Sequence, residues 1–180
     1  VGVERLTPGQ DSAILQGRSW EIVREAYHSQ DFTIILHTVP IARALHYVTS
    51  GTVDVIFPFV ITDERLKTFS FSKEPVVYDS ILLYHPHQSA NKMLTLSSFK
   101  GRKIAVIRKW AYGKVWEKET TIQRIEADSI MQCFNLLDGK WVDGVIGYET
   151  AFDYTLKTLG FEKKYRKTAP IDKVTNYMMG

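Results

Sequence analysis

The stretch from Gly51 to Ser80, GTVDVIFPFVITDERLKTFSFSKEPVVYDS, limits the fold most, because a buried strand, a polar turn and a charged helix start follow one another within it. Val53, Val55, Ile56, Phe57 and Phe59 form a short apolar run, the pattern of a strand covered on both faces and the habit of parallel sheets. Pro58 has no amide hydrogen to give a central ladder, so the strand is expected to end near it. The chain then turns away over Ile61 to Arg65, with Thr62 or Asp63 as the helix N-cap. Arg65 falls beside the carboxyl end of the strand, where open α/β sheets bind ligands, and its planar guanidinium can grip a carboxylate through two parallel hydrogen bonds. The alternative is a surface arginine paired with Asp63 or Glu64, an arrangement of little energetic weight.

Helical and strand patterns alternate through the rest of the chain. Residues 1–16 offer a turn signal at Pro8-Gly9 and nothing longer. Gly17 to Ser29 reads as an amphipathic helix with Trp20, Val23, Ala26 and Tyr27 on its buried stripe, and Phe32 to Leu36 as a buried strand. Pro40 to Ser50 reads as the next helix, with Pro40 in its first turn and Gly51 just past its end. Strand, helix and strand joined by short links predict a right-handed βαβ unit. Val76 to Tyr84 is β-rich but interrupted by Asp79-Ser80, and the polar stretch His85 to Lys92 after it reads as a passage to a second lobe. The second half repeats the alternation. Strands are expected at Lys103 to Ile107, Ile122 to Ile125, Val142 to Tyr148 and Phe161 to Tyr165, with helices from Tyr112 to Lys118, Ser129 to Leu137 and Thr150 to Leu159. Val174 to Met179 reads as the strand that returns to the first lobe. Gly51-x-x-Asp54 and Gly139-x-x-x-Asp143 each stand between a helix and an apolar strand, a weak internal repeat of the kind two similar lobes give.

Composition removes several function classes. With 180 residues, 44% of them hydrophobic, the chain can bury a core, and 23 basic against 20 acidic residues give only +3, without the basic excess of a nucleic-acid or membrane-surface binder. No apolar run approaches the roughly 18 residues of a membrane span, and the chain from Val1 shows no signal-peptide core, as expected of a mature or shortened secreted domain. The single Cys133 lies in the apolar helical setting IMQCF and is expected to be an inert core residue. His85-Pro86-His87 lacks a third metal ligand and is read as a solvated hinge segment. No phosphate loop or dinucleotide fingerprint occurs, and His28, His37 and His46 have no nucleophile to serve, so no cofactor, no metal and no catalytic group is expected.

Gly51, Asp54, Thr62, Glu64-Arg65, Phe71-Ser72 and Pro75 follow a G-x-x-D, T-x-E-R, F-S-x-x-P pattern that resembles the periplasmic solute-binding proteins of the polar amino-acid uptake type, the family 3 extracellular solute-binding proteins. Pro40-Ile41-Ala42-Arg43-Ala44-Leu45 is similar to a P-x-x-R-A-L helix start of that family. Phe99 to Val106 is similar to its L-x-G-K-x-I-G-V strand, and Leu137 to Ile146 to its L-x-x-G-R-x-D-A-x-I element, so the resemblance spans Gly17 to Gly180. It implies an α/β, two-lobed type II periplasmic-binding fold, each lobe a mostly parallel sheet flanked by helices. Lobe 1 is expected at 1–84 plus 172–180 and lobe 2 at 88–168, with hinges at 84–88 and 168–172. Relatives continue past the last strand into one or two further helices, which implies a shortened chain or a short member.

The implied function is extracytoplasmic, periplasmic binding of a small carboxylate-bearing solute in the cleft between the lobes, for delivery to the membrane permease of an ABC importer. No nucleic acid and no membrane insertion are implied. The alternative is the ligand-sensing domain of a membrane histidine kinase or cyclase; an enzyme and the effector domain of a transcription regulator are more distant readings. Two helix N-termini facing the cleft would form an anion site. The resemblance assigns the ligand carboxylate to the backbone around Pro58 and Val60 and to Thr62 and Arg65, with Val60 standing where many relatives have a hydroxyl. Ile41 stands where some relatives have an aromatic. Arg43 either reaches the cleft or is a surface helix residue. In place of a G-T-T element the chain reads Lys109-Trp110-Ala111-Tyr112-Gly113, and Trp110 and Tyr112 either stack on a ligand or pack the lobe. The carboxylate that holds an α-ammonium group in relatives aligns with Tyr148, beside Glu149. Either Glu149 replaces it or the ligand is not an ordinary α-amino acid.

Overall fold

The computed structural model describes residues 18–87 and 94–180. The Pro8-Gly9 turn and part of the polar stretch after His87 lie outside the described residues. The chain forms two compact units, one of residues up to Tyr78 with Thr175–Gly180, the other Asp79–Val174.

The first unit contains α1 (Arg18–His28), α2 (Ile41–Thr49), β1 (Ile56–Val60), the one-turn α3 (Asp63–Leu66) and most of β7 (Asp172–Met179). Helix α2 begins after Pro40 and gives way to Gly51 at φ +69°, a left-handed residue at which glycine carries no Cβ penalty. Strand β1 differs from expectation. It does not include Val53 and Val55, and it does not stop at Pro58 but runs through it to Val60, with a cis Phe57–Pro58 bond. It pairs antiparallel with β7, Ile56 opposite Met179 and Phe59 opposite Tyr177, and the register shifts between these two pairs. A proline is tolerated at such an irregularity because no ladder N–H is needed there. The expected strand at Phe32 to Leu36 is absent: residues 32–40 are irregular, with Leu36 buried while Phe32 and Ile35 are 63% and 56% exposed. An apolar run becomes a strand only when another strand satisfies its backbone, and no described strand pairs with this one. Two apolar clusters hold the unit together. Val23, Leu36, Phe57 and Val76 form one, and Ala44, Ile56, Phe59 and Met179 the other.

The second unit contains β2 (Val77–Pro86) from Asp79 onward, β3 (Lys103–Ile107), α4 (Lys114–Glu117), β4 (Gln123–Ala127), α5 (Ile130–Asp138), β5 (Gly144–Tyr148), α6 (Glu149–Thr158) and β6 (Tyr165–Lys167). Its strands lie in the order β2-β5-β3-β4, with β6 on β2. Strand β3 runs parallel to β4 and β5, whereas β2 is antiparallel to β5 and β6, so the sheet is mixed. The short strand β6 starts at Tyr165 rather than at Phe161, because residues 162–164 form a turn. Ser129 caps α5 by accepting the Gln132 N–H at 3.1 Å, and Cys133, Phe134 and Leu137 form its buried stripe. These residues meet Tyr84, Val145, Phe152 and Leu156 in the main core. A Cβ at Gly147 would strike the Phe152 ring, so this glycine allows that ring to lie against the sheet.

Candidate functional site

Each unit presents one group of the residues singled out in the sequence. In the first, β1 ends at Val60 and Thr62 is the N-cap of α3, its hydroxyl accepting the Arg65 N–H at 3.2 Å. The Arg65 side chain folds back over the strand end. Its Nη1 donates to the Val60 carbonyl at 2.7 Å, and its guanidinium lies 4.9 Å from the centroid of the Phe59 ring. Hydrogen bond and ring together fix the plane of the fork, which is the pre-organisation that two-point carboxylate recognition needs. Pro58, Val60, Thr62 and Arg65 are thus brought together, each partly buried. Ile41 is partly buried and packs into the cluster around Phe59, so it serves the core. Arg43 is exposed on α2. Asn176 of β7 lies opposite Val60 in the ladder, is 2% exposed, and its side-chain oxygen has no hydrogen-bond partner. Nothing in the sequence marked it, because its burial comes from a strand pairing more than a hundred residues away in the chain.

In the second unit, β3 ends at Ile107 and the turn after it carries Trp110, Ala111 and Tyr112. Trp110 stacks on Tyr148 at 4.9 Å between centroids with 27° between planes. The Tyr148 hydroxyl donates to the Ala111 carbonyl at 2.6 Å. Tyr112 is 2% exposed, and its oxygen accepts the Ile107 N–H at 2.7 Å. Burial raises its pKa well above the ordinary tyrosine value. Of the two aromatics left open by the sequence, Tyr112 is therefore a packing residue, while Trp110 is partly exposed. Glu149 opens α6, and its Oε1 accepts from Lys167 Nζ at 2.7 Å.

The helix-terminus expectation changes. α3 and α4 are four residues each, too short to gather a sizeable dipole. The Val115 N–H at the start of α4 is taken by Asp172 Oδ2 at 3.0 Å. Gly113, at φ +87°, is required there because a Cβ would strike the same carboxylate. The positive charge at the end of β1 is carried by the Arg65 side chain. His85 also differs from expectation: it is 3% exposed within β2, and burial lowers its pKa below the usual 6.5. Cys133 is fully buried and its thiol is pushed up to about 12 by burial. Among the described residues no group of His, Cys, Asp and Glu could hold a metal ion, and no helix is long and apolar enough to cross a membrane.

The sequence matches no protein-family model and no curated protein. Solved structures do match. The GluR0 ligand-binding core from Nostoc punctiforme, in complex with L-glutamate, superposes with a TM-score of 0.74 at 16% identity, covering 97% of this chain and 81% of that one. An arginine third transport system periplasmic binding protein from Legionella pneumophila gives 0.74 at 21% identity over 91% of this chain and 75% of its own. The substrate-binding protein of an amino acid ABC transporter gives 0.75 at 14% identity over 97% and 77%. At such identities the likeness is one of fold: the chain has the mixed α/β type II periplasmic-binding-protein fold of these structures.

Proposed function

We propose that this chain binds a small carboxylate-bearing solute outside the cytoplasm, in the periplasm, and delivers it to the permease of an ABC importer without making or breaking a bond. The fold supports the general class, since its neighbours include a transport-system periplasmic binding protein and an ABC-transporter substrate-binding protein. The observation that carries the ligand chemistry is the Arg65 guanidinium, oriented at the end of β1 by the Val60 carbonyl and the Phe59 ring. In this reading Thr62 and the backbone near Pro58 and Val60 complete the carboxylate contact. The ammonium grip of an amino-acid binder is weakened. The Tyr148 hydroxyl is committed to a hydrogen bond to the Ala111 carbonyl, and Glu149 shares Lys167 with Asp153. The ligand class favoured is a carboxylate without an obligatory α-ammonium group.

Calorimetric titration with arginine, glutamate and a panel of small carboxylates tests this. Binding is expected for a carboxylate and to be weakened in Arg65→Ala by roughly 1.5–3 kcal/mol per lost charge-assisted hydrogen bond, about 10- to 150-fold. An Arg65→Ala chain that binds as tightly as the parent would sink the proposal. Micromolar binding of arginine or glutamate would show that an ammonium site exists after all.

A further inference from the structure

In the second unit, residues 165–171 lie along one edge of β2 as a narrow strap. Within it β6 pairs antiparallel with β2, Tyr84 opposite Lys167, His85 opposite Arg166 and Pro86 opposite Tyr165. Further along, the Thr168 N–H donates to the Leu83 carbonyl at 2.9 Å, the Thr168 hydroxyl accepts the Leu83 N–H at 3.2 Å, and the Ile171 N–H donates to the Ile81 carbonyl at 2.8 Å. Side chains alternate across β6. Tyr165 and Lys167 turn to Asp138, Glu149 and Asp153, whereas Arg166 shares the opposite face with His85, its cross-strand neighbour.

That face suits an uncharged imidazole. His85 is 3% exposed, and the Phe99 ring of the 3₁₀ turn Leu96–Phe99 lies 6.2 Å from it between centroids. Arg166 forms no salt bridge with a described residue. The other charges nearby are turned away or in water: Asp143, just before β5, accepts the Lys103 N–H and an Arg102 N–H, and His87 is exposed. β5, on the other edge of β2, brings Val145 opposite Tyr84 and then a glycine. Burial holds the ring neutral, the Arg166 charge adds to it, and the Pro86 carbonyl, 3.2 Å from Nδ1, opposes both. A protonated ring would face a guanidinium across the ladder, and like charges directly opposite destabilise a strand pair. Freed from β6, the same ring meets water and titrates near its ordinary 6.5. We propose that His85 and Arg166 form an acid-sensitive latch, which keeps the 165–171 strap on β2 at neutral pH and releases it when the ring takes up a proton, while β3, β5 and α5 stay folded. The inference stands on the second unit alone and does not depend on the role of Arg65.

Native-state amide exchange of the full chain, read by ¹H–¹⁵N spectra and corrected for the intrinsic effect of pH, measures the opening directly. Because opening takes up a proton, its equilibrium constant rises as pH falls below 6.5 and levels off below the closed-state value. One such group gives at most about a tenfold rise from about pH 7.5 to about pH 5.5, and at least about threefold is expected for the amides of residues 165–168. At each pH these amides should open more readily than those of β3. His85→Gln should abolish the rise. Arg166→Gln, at a partly exposed position, should lessen it and guards against a folding defect in the first variant, and exposed His87→Gln should leave it as in the parent. A strap that opens only together with β3, opening that does not change with pH, or a rise kept in full in both His85→Gln and Arg166→Gln would each overturn the inference.

Discussion

Replacing Tyr112 with phenylalanine removes one oxygen from a place water does not reach. That oxygen accepts the Ile107 N–H at 2.7 Å, and the two residues are 2% and 6% exposed. The phenyl ring fills the same space and keeps its edge-on contact with Trp116 at 6.2 Å, so no cavity term enters. What remains is the cost of a buried N–H without an acceptor, about 1–3 kcal/mol, and about 2 kcal/mol is the expected loss. For a chain of this size that lowers the thermal midpoint by roughly 4–8 °C. Urea unfolding followed by tryptophan fluorescence would measure it, because Trp110 and Trp116 both pack near Tyr112. Ligand titration on the same variant separates packing from recognition, and affinity should hold within about twofold. A Tyr112→Phe chain as stable as the parent, with binding reduced more than about tenfold, would refute the reasoning and place the hydroxyl against the ligand.

Three further expectations concern titratable groups, Asp79 half-buried and His85 and Cys133 buried. Asp79 Oδ1 accepts the Ser80 and Thr150 N–H groups at 2.8 and 3.2 Å, yet burial raises its pKa above 3.8 despite those bonds, with Glu149 adding to the rise. The folded state then holds this proton more tightly than the unfolded one, so the group's contribution falls as pH rises above about 3.8. Asp79→Asn should flatten that slope and be at least as stable as the parent at pH 7 by urea melt; an Asn variant weaker by more than about 1 kcal/mol would contradict it. His85 has the opposite sign: its lowered pKa contributes stability above about pH 6.5 that is lost as pH falls through the lower folded-state value. His85→Gln should remove this acid sensitivity from the thermal midpoint, and an unchanged pH profile would count against it. Cys133, fully buried with its thiol near 12, should react with a thiol reagent only on unfolding, and rapid native-state labelling would disprove that.

What the sequence determined by itself is local. Thr62 was legible as one of two candidate caps, Ser129 as a helix start, Gly51 as a helix end and Cys133 of α5 as buried, because caps and helix stripes are set by residues three or four apart. The arginine after β1 was legible for the same reason, since the turn that orients it is built from Val60 to Arg65. Only the tertiary structure decided which apolar runs became strands and in which direction they paired. Phe32 to Leu36 and Ile56 to Val60 look alike in sequence, but one has a ladder partner in β7 and the other has none among the described strands. It also decided the fate of the polar side chains: His85 buried, Tyr112 closing a backbone gap, Asp172 filling the start of α4. These contacts join residues far apart in the chain. Their energy depends on burial and on the partner, and neither quantity is written in local spacing.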